Sequence, residues 1–400
     1  MRGAQRDAVY GAGWVSILIE VVVRGWGRSG NVDHGSCHLP FRDESPVVIR
    51  SGRKEDEPFV REFTRNTFSW GDYVGEAFSE WLDEPGEVLV AEFQGRVVGV
   101  THVCYLSPSE AWFEGIRVHP RFRRMGIGML LSRASIKAAR KHGCKVARCA
   151  IDSANAASSE LARRLGFRLV AKLTELVRSF TWDSLVTSRS PFTVRKAEEK
   201  DFIPIWSKAY REINYIGSDF RWRSLSPENV RRAISSGNVV VAVDESGNVE
   251  AGASFSEVWE DRKDSRLSGF YVETSSVFGS RAGIQAIIER ALDLLREEVL
   301  SLSGENAARN CRSQTAAIPD YPSGQAVMSG SVEQGDGVSL KDLSFKVYSL
   351  CEIASPARRA LLELGFTEER QPPGDRFRAD GIPCEGGVLD YDVGIWEMDL

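Results

Sequence analysis

From residue 47 onward the chain alternates between two hydrophobic rhythms. "VLVAEF", "VVGVTHVCYL" and "AWFEGIRV" run apolar or place apolar side chains at every second position, as strands do. "MLLSRASIKAARKHG" spaces them three and four apart and stops at a glycine, as a helix does. Read this way, the first half predicts helices near 55–67, 73–83, 126–142 and 155–165. It predicts strands near 47–50, 87–93, 96–106, 110–118, 145–151 and 167–177. That is an α/β chain of the α+β type, with a mixed, mainly antiparallel twisted sheet flanked by helices and ending in a βαβ-like crossover.

The same plan occurs twice. "VIRSGRKED" (48–56) matches "TVRKAEEKD" (193–201), each with an arginine six residues before an aspartate at the mouth of a helix. "VLVAEFQGRVVG" (88–99) matches "VVVAVDESGNVEAG" (239–252), "FEGIRV" (113–118) matches "LSGFYV" (267–272), and "ELARRLGF" (160–167) matches "RALLELGF" (359–366). Gly115 to Gly166 spans 51 residues but Gly269 to Gly365 spans 96, so the second copy carries an insertion. Residues 301–341 supply it; their Gly, Ser, Gln and Asn bias marks a flexible segment. The expected organisation is a loose N-terminal extension at 1–46, a first domain at 47–182, a linker at 183–191 and a second domain at 192–400.

The extension holds one apolar run, "WVSILIEVVV" (14–23), which contains Glu20 and is too short to span a bilayer. It is read either as a poorly ordered tail or as lying outside the folded unit through a misassigned start. Composition adds little else: 27% charged residues and a net charge of −5 argue against nucleic acid as a partner. Seven cysteines without a CxxC pair fit a reducing, cytoplasmic setting, and five histidines without ligand spacing argue against a metal.

One run departs from that quiet background. Between the strand "FEGIRV" and the helix lies Arg-x-x-Gly-x-Gly, Arg123 to Gly128. Glycines at a helix entry let backbone N–H groups converge on an anion, and the helix dipole favours negative charge there. Arg123 and Arg124 add charge-assisted donors, and phosphate is the natural ligand. Residues 115–182 hold fifteen Lys/Arg against three Asp/Glu, inside an acidic chain.

The ordered set of strand, "VHP", Arg-x-x-Gly-x-Gly, helix, strand and "NAASSELARRLGF" resembles the GNAT superfamily of N-acetyltransferases over about residues 47–180. The resemblance implies two tandem GNAT-like domains, the second degenerate, with acetyl-CoA as co-substrate. It implies that Arg123 and the amides of Arg124, Met125, Gly126, Ile127, Gly128 and Met129 bind the pyrophosphate. It further implies that the backbone of Ile116, Arg117 and Val118 pairs with the pantetheine arm, with a nearby N–H for the oxyanion, and that Asn155 touches the cofactor. Glu114 stands where relatives often place a general base, and on a strand it shares a face with Trp112 and Ile116. Ala162 stands where relatives often have a tyrosine acid, leaving Tyr105 and Tyr73 as candidate donors. The second copy lacks the Arg/Gly run, has Ala354 for the asparagine and Ser268 for Glu114, and is expected to complete the cleft or act as scaffold.

For the acceptor, Trp70, Asp72 and Tyr73 offer a carboxylate among aromatics, suited to an ammonium group. Asp-Tyr-x7-Trp together with Glu-Gly-Ile-Arg-Val is similar to histidine N-acetyltransferase and its relatives, which implies a free amino acid or similar small amine. Trp81 is read as core, and His102 and His119 as structural or exposed. Two other readings stay open: acetylation of protein N-termini or lysines, and a non-catalytic acyl-CoA-binding module. The missing tyrosine favours the module; the intact Arg/Gly run and Glu114 oppose it.

Overall fold

The structure, a computed structural model, describes residues 19–21, 47–65, 67, 72–185, 190–218, 221–263, 266–302, 343–368 and 393–400. It divides into two compact units, Met1–Ala147 with Leu400, and Arg148–Asp399.

In the first unit, strands β1 (Ile19–Val21), β2 (Val47–Ser51), β3 (Gly86–Phe93), β4 (Arg96–Ser107) and β5 (Glu110–Val118) form an antiparallel sheet in that order. The loose extension expected at 1–46 falls outside the described residues except for β1, which pairs with β2. Helices α1 (Glu57–Thr64) and α2 (Val74–Asp83) cover one face, and α3 (Ile127–His142) the other. The two cores follow the alternation of the strands. Val60, Phe78 and Trp81 pack with Val88, Val90 and Val100, whereas Leu131 and Ile127 pack with Leu89, Ala91 and Val98. Fully burying a side chain such as Phe78 contributes about 2–3 kcal/mol.

The second unit opens with β6 (Val146–Asp152), α4 (Ala156–Leu165) and β7 (Arg168–Phe180). Next come β8 (Thr193–Lys196), α5 (Phe202–Ala209), a hairpin of β9 (Tyr215–Ser218) and β10 (Arg221–Ser224), α6 (Pro227–Ser235) and β11 (Val239–Val243). The long pair β12 (Val249–Lys263) and β13 (Arg266–Gly279) leads into α7 (Arg281–Leu302), then β14 (Ser344–Glu352), α8 (Pro356–Glu363), β15 (Thr367–Glu368) and β16 (Val393–Asp399). The insertion expected at 301–341 lies outside the described residues beyond Leu302. Among the described residues no helix is long and apolar enough to cross a membrane.

The duplication is built into side-chain chemistry. Arg50 clamps Asp56 through two bonds of 2.7 and 2.8 Å, and Asp56 accepts the Arg53 amide at 2.8 Å. Arg195 clamps Asp201 at 2.6 and 2.9 Å, and Asp201 accepts the Glu198 amide at 2.8 Å.

The division at Ala147 and Arg148 does not follow the expected linker at 183–191. The reason lies in β7, whose first half pairs with β16 (Arg168↔Glu397 to Leu173↔Val393). Its second half pairs with β14 on one side (Leu173↔Glu352 to Phe180↔Phe345) and β15 on the other. The last strand of each repeat is thus taken up beside strands of the other, and Arg148 of β6 binds Glu397 of β16 at 2.6 Å.

Candidate active site

The site is built around a fault in β5. Val100 opposes Arg117 and His102 opposes Glu114, so Thr101 faces two residues, Gly115 and Ile116. This is a bulge with a glycine at φ +65, a conformation that side-chain-bearing residues rarely adopt. A Cβ at Gly115 would lie 2.3 Å from the Trp81 ring, so the indole rests directly on the bulge.

The bulge shifts the alternation of β5, and this corrects one expectation. Ile116 and Val118 pack on the α3 side, while Glu114 turns to His102 beneath the helix pair. Glu114 therefore does not share a face with Ile116. His102 is fully buried, its Nδ1 lies 2.8 Å from Glu114 Oε1, and Trp81 stacks on its ring at 4.8 Å and 16°. The sequence marks His102 only as structural or exposed. Its one legible signal is a histidine inside an apolar strand register.

Asp72 also departs from expectation. Its side chain has 0% exposure, Arg117 Nε and Nη2 hold its two oxygens at 2.7 and 3.1 Å, and Oδ1 also accepts the Val74 amide at the start of α2. It is a neutralised structural carboxylate, not one offered to an ammonium. Arg117 likewise sends its side chain to Asp72 and, at 5.8 Å, across the Tyr73 ring. Tyr73 is 47% exposed and stands edge-on to Trp81 at 6.1 Å. Trp70 lies outside the described residues.

The other candidate proton donor, Tyr105, donates to Glu87 at 3.1 Å and stacks on His142 at 3.7 Å. Burial, followed by the Glu87 charge, pushes its phenol well above the ordinary tyrosine range. It is a poor acid at neutral pH.

Past Val118 the chain makes a short 3-10 turn (Pro120–Phe122) and reaches α3. Arg123 Nε donates to the Val118 carbonyl at 3.2 Å, tying the loop to the end of β5. His119 Nδ1 accepts the Arg121 amide at 3.2 Å; burial, then the Arg121 charge, lowers its pKa. Arg124 and Gly126 both take left-handed φ, 68 and 81. Gly126 is the N-cap of α3, with no side chain closing the helix start. Among the described residues the amides of Arg124 to Met129 have no protein acceptor, so this turn can accept an anion through backbone alone.

The equivalent turn of the second repeat is closed. Only Ser280 separates β13 from α7. The Gly279 amide donates to Glu212 Oε2 at 2.8 Å, the Ser280 amide to the Glu250 carbonyl at 2.9 Å, and the Gly283 amide to Ser280 Oγ at 3.2 Å. A carboxylate already sits where an anion would bind.

Asn155 belongs to the second unit, where its side chain accepts the Ser158 amide at 3.0 Å and caps α4. Ala162 is buried on the same helix.

Comparison with known proteins fits this geometry. Residues 56–167 match the family described as Acetyltransferase (GNAT) family. No curated protein matches the chain. Among solved structures, a GCN5-related N-acetyltransferase from Sphaerobacter thermophilus is 14% identical, covers 88% of this chain and 95% of that one, and has a TM-score of 0.47. A tandem GNAT protein from the clavulanic acid biosynthesis pathway is 13% identical over 87% and 96% of the two chains, at a TM-score of 0.46. The ribosomal-protein-S18-alanine N-acetyltransferase from Escherichia coli is 20% identical over 32% and 81%, at 0.30.

Proposed function

We propose that the chain, whose residues 56–167 match the GNAT acetyltransferase family, is an N-acetyltransferase that moves an acetyl group from acetyl-CoA to the primary amine of a small molecule. The observation that carries the donor is the start of α3. Two left-handed residues and an uncapped helix start leave consecutive amides without a protein acceptor among the described residues, beside Arg123 and Arg124, which suits a diphosphate. The backbone of Ile116, Arg117 and Val118 is assigned to the pantetheine arm, and Asn155 to the cofactor, from the family resemblance alone.

Glu114 is the base. An alkylammonium must lose a proton before its nitrogen can attack a thioester, and this carboxylate stands at the bulge, 14% exposed and bound to His102. Tyr73, exposed and close to Arg117, is the donor candidate for the leaving thiolate, in preference to the buried Tyr105. With Asp72 held by Arg117, recognition of the acceptor falls to Glu114 and the exposed Tyr73 ring. The second repeat, its equivalent turn closed, serves as scaffold.

The test is a thiol-release screen of amino acids, polyamines and peptides with acetyl-CoA, run beside calorimetry of acetyl-CoA binding. Small amines turn over best on this reading. Preference for peptides makes the chain a protein acetyltransferase, and tight binding without turnover makes it a regulatory module. Glu114→Gln lowers kcat about a hundredfold while sparing acetyl-CoA affinity.

A further inference from the structure

Three features around His102 do not follow from packing alone. The imidazole has no exposure, yet its Nε2 is buried without a hydrogen-bond partner. An unmet polar atom of this kind is destabilising, so an apolar residue of similar size would be favoured if filling space were all that mattered. The ring is also held on two sides. Trp81 stacks on its face at 4.8 Å, and Gly86 leaves the room at Nε2, where a Cβ would come within 3.0 Å. Finally, the one bond the ring makes among the described residues is to Glu114, at 2.8 Å.

We infer that His102 is a positioning residue for acetyl transfer: its Nδ1–H holds Oε1 of Glu114, so that the acceptor's proton is taken by Oε2. This rests on Glu114 being the base. The tautomer follows from the partners. Nδ1 faces a carboxylate oxygen and must carry the hydrogen, which leaves Nε2 as a bare lone pair. The imidazolium form would instead place a charged N–H in a pocket with no acceptor for it. When the ammonium gives up its proton, that proton goes to Oε2 and the Nδ1–H bond to Oε1 persists. His102 therefore passes no proton onward and keeps the carboxylate from rotating away from the acceptor.

Neighbouring titratable groups are engaged elsewhere. Glu87 on β3 accepts from Tyr105, and Asp72 before α2 accepts from Arg117. Burial and the nearby Glu84 raise Glu80 on α2 above the ordinary carboxylate range.

The experiment uses the full chain and compares wild type, His102→Leu, His102→Asn and Glu114→Gln. His102→Leu is expected to lower kcat about tenfold, the effect of losing one hydrogen bond to a charged group, with unchanged KM for acetyl-CoA. Loss of a donor to the charged form also moves the acid limb of the kcat/KM profile to higher pH, by about one unit. His102→Asn, whose Nδ2–H stands near the place of Nδ1–H, restores most of both. Independently of any variant, imidazole 15N shifts of the wild-type protein are expected to show Nδ1 protonated and Nε2 bare at neutral pH. An Nε2–H tautomer, or a His102→Leu enzyme with wild-type kcat and an unmoved acid limb, overturns the inference and leaves the transfer reading intact. A Glu114→Gln enzyme at full rate, or a wild type that turns over no amine, overturns the transfer reading and this inference with it.

Discussion

Arg117 holds both oxygens of Asp72, at 2.7 and 3.1 Å, across a sequence separation of 45 residues. The pair ties the end of β5 to the first turn of α2, and the carboxylate end has no exposure. Removing one partner strands the other, which for a buried pair costs about 3–5 kcal/mol; removing both costs less. Arg117→Met is therefore expected to lower the denaturant midpoint sharply, and Arg117→Met with Asp72→Asn to recover much of the loss. Equal and additive losses in the double-mutant cycle would show that the two side chains act independently.

The bulge makes a sharper prediction. Gly115→Ala meets two penalties, a left-handed φ of +65 and a Cβ 2.3 Å from Trp81. Gly95, on the β3–β4 turn, has a similar φ of +72 with nothing within 4 Å of the added carbon. Gly95→Ala should cost about 1 kcal/mol, the backbone term alone. Gly115→Ala should cost about 3 kcal/mol or more and depress kcat, because Trp81 must move and His102 is stacked on it. Similar unfolding curves for the two variants would mean that the indole yields freely.

These positions also show where the sequence was legible. α2, expected at 73–83, spans Val74–Asp83, and α3, expected at 126–142, spans Ile127–His142, because their apolar spacing and the glycine stop are local signals. The Arg/Gly run was legible for the same reason. The parity of β5 was not: alternation continues across Gly115 on paper, and only its φ shows the break. Asp72 looked available because its partner lies on another element, and the strand uptake around β7 joins residues about two hundred positions apart. Local patterns report elements; they are silent on which distant side chain closes a charge.

Acid stability should report the second copy of the Arg-Asp clamp. Burial alone would raise the Asp201 carboxyl, but the Arg195 bond, the Glu198 amide and the Arg195 charge outweigh it and hold the group below its ordinary 3.8. A carboxyl lower in the folded than in the unfolded chain stabilises above the unfolded value, and the contribution disappears as pH falls through the folded one. Asp201→Asn is thus expected to cost about 1–3 kcal/mol at pH 7, a difference that shrinks as the pH is lowered from 3.8 toward 2. The check is urea denaturation of both proteins across that range; a constant difference would assign the effect to packing.

The closed turn before α7 sets the stoichiometry. At the start of α3, Gly126 caps the helix with no side chain across it, and the amides of Arg124 to Met129 have no protein acceptor among the described residues. At the start of α7, the Gly279 amide is already bound by the Glu212 carboxylate at 2.8 Å, and Ser280 has its amide on the Glu250 carbonyl. A diphosphate arriving there meets a fixed negative charge and few unoccupied donors, so calorimetry should give one acetyl-CoA per chain. Arg123→Ala with Arg124→Ala should weaken that single event by about tenfold or more and flatten its salt dependence, since two charge-assisted donors are lost. Arg281→Ala, at the α7 start, should leave it unchanged. A second binding event of comparable affinity, or an Arg281→Ala variant that loses acetyl-CoA, would move the donor site to the second repeat.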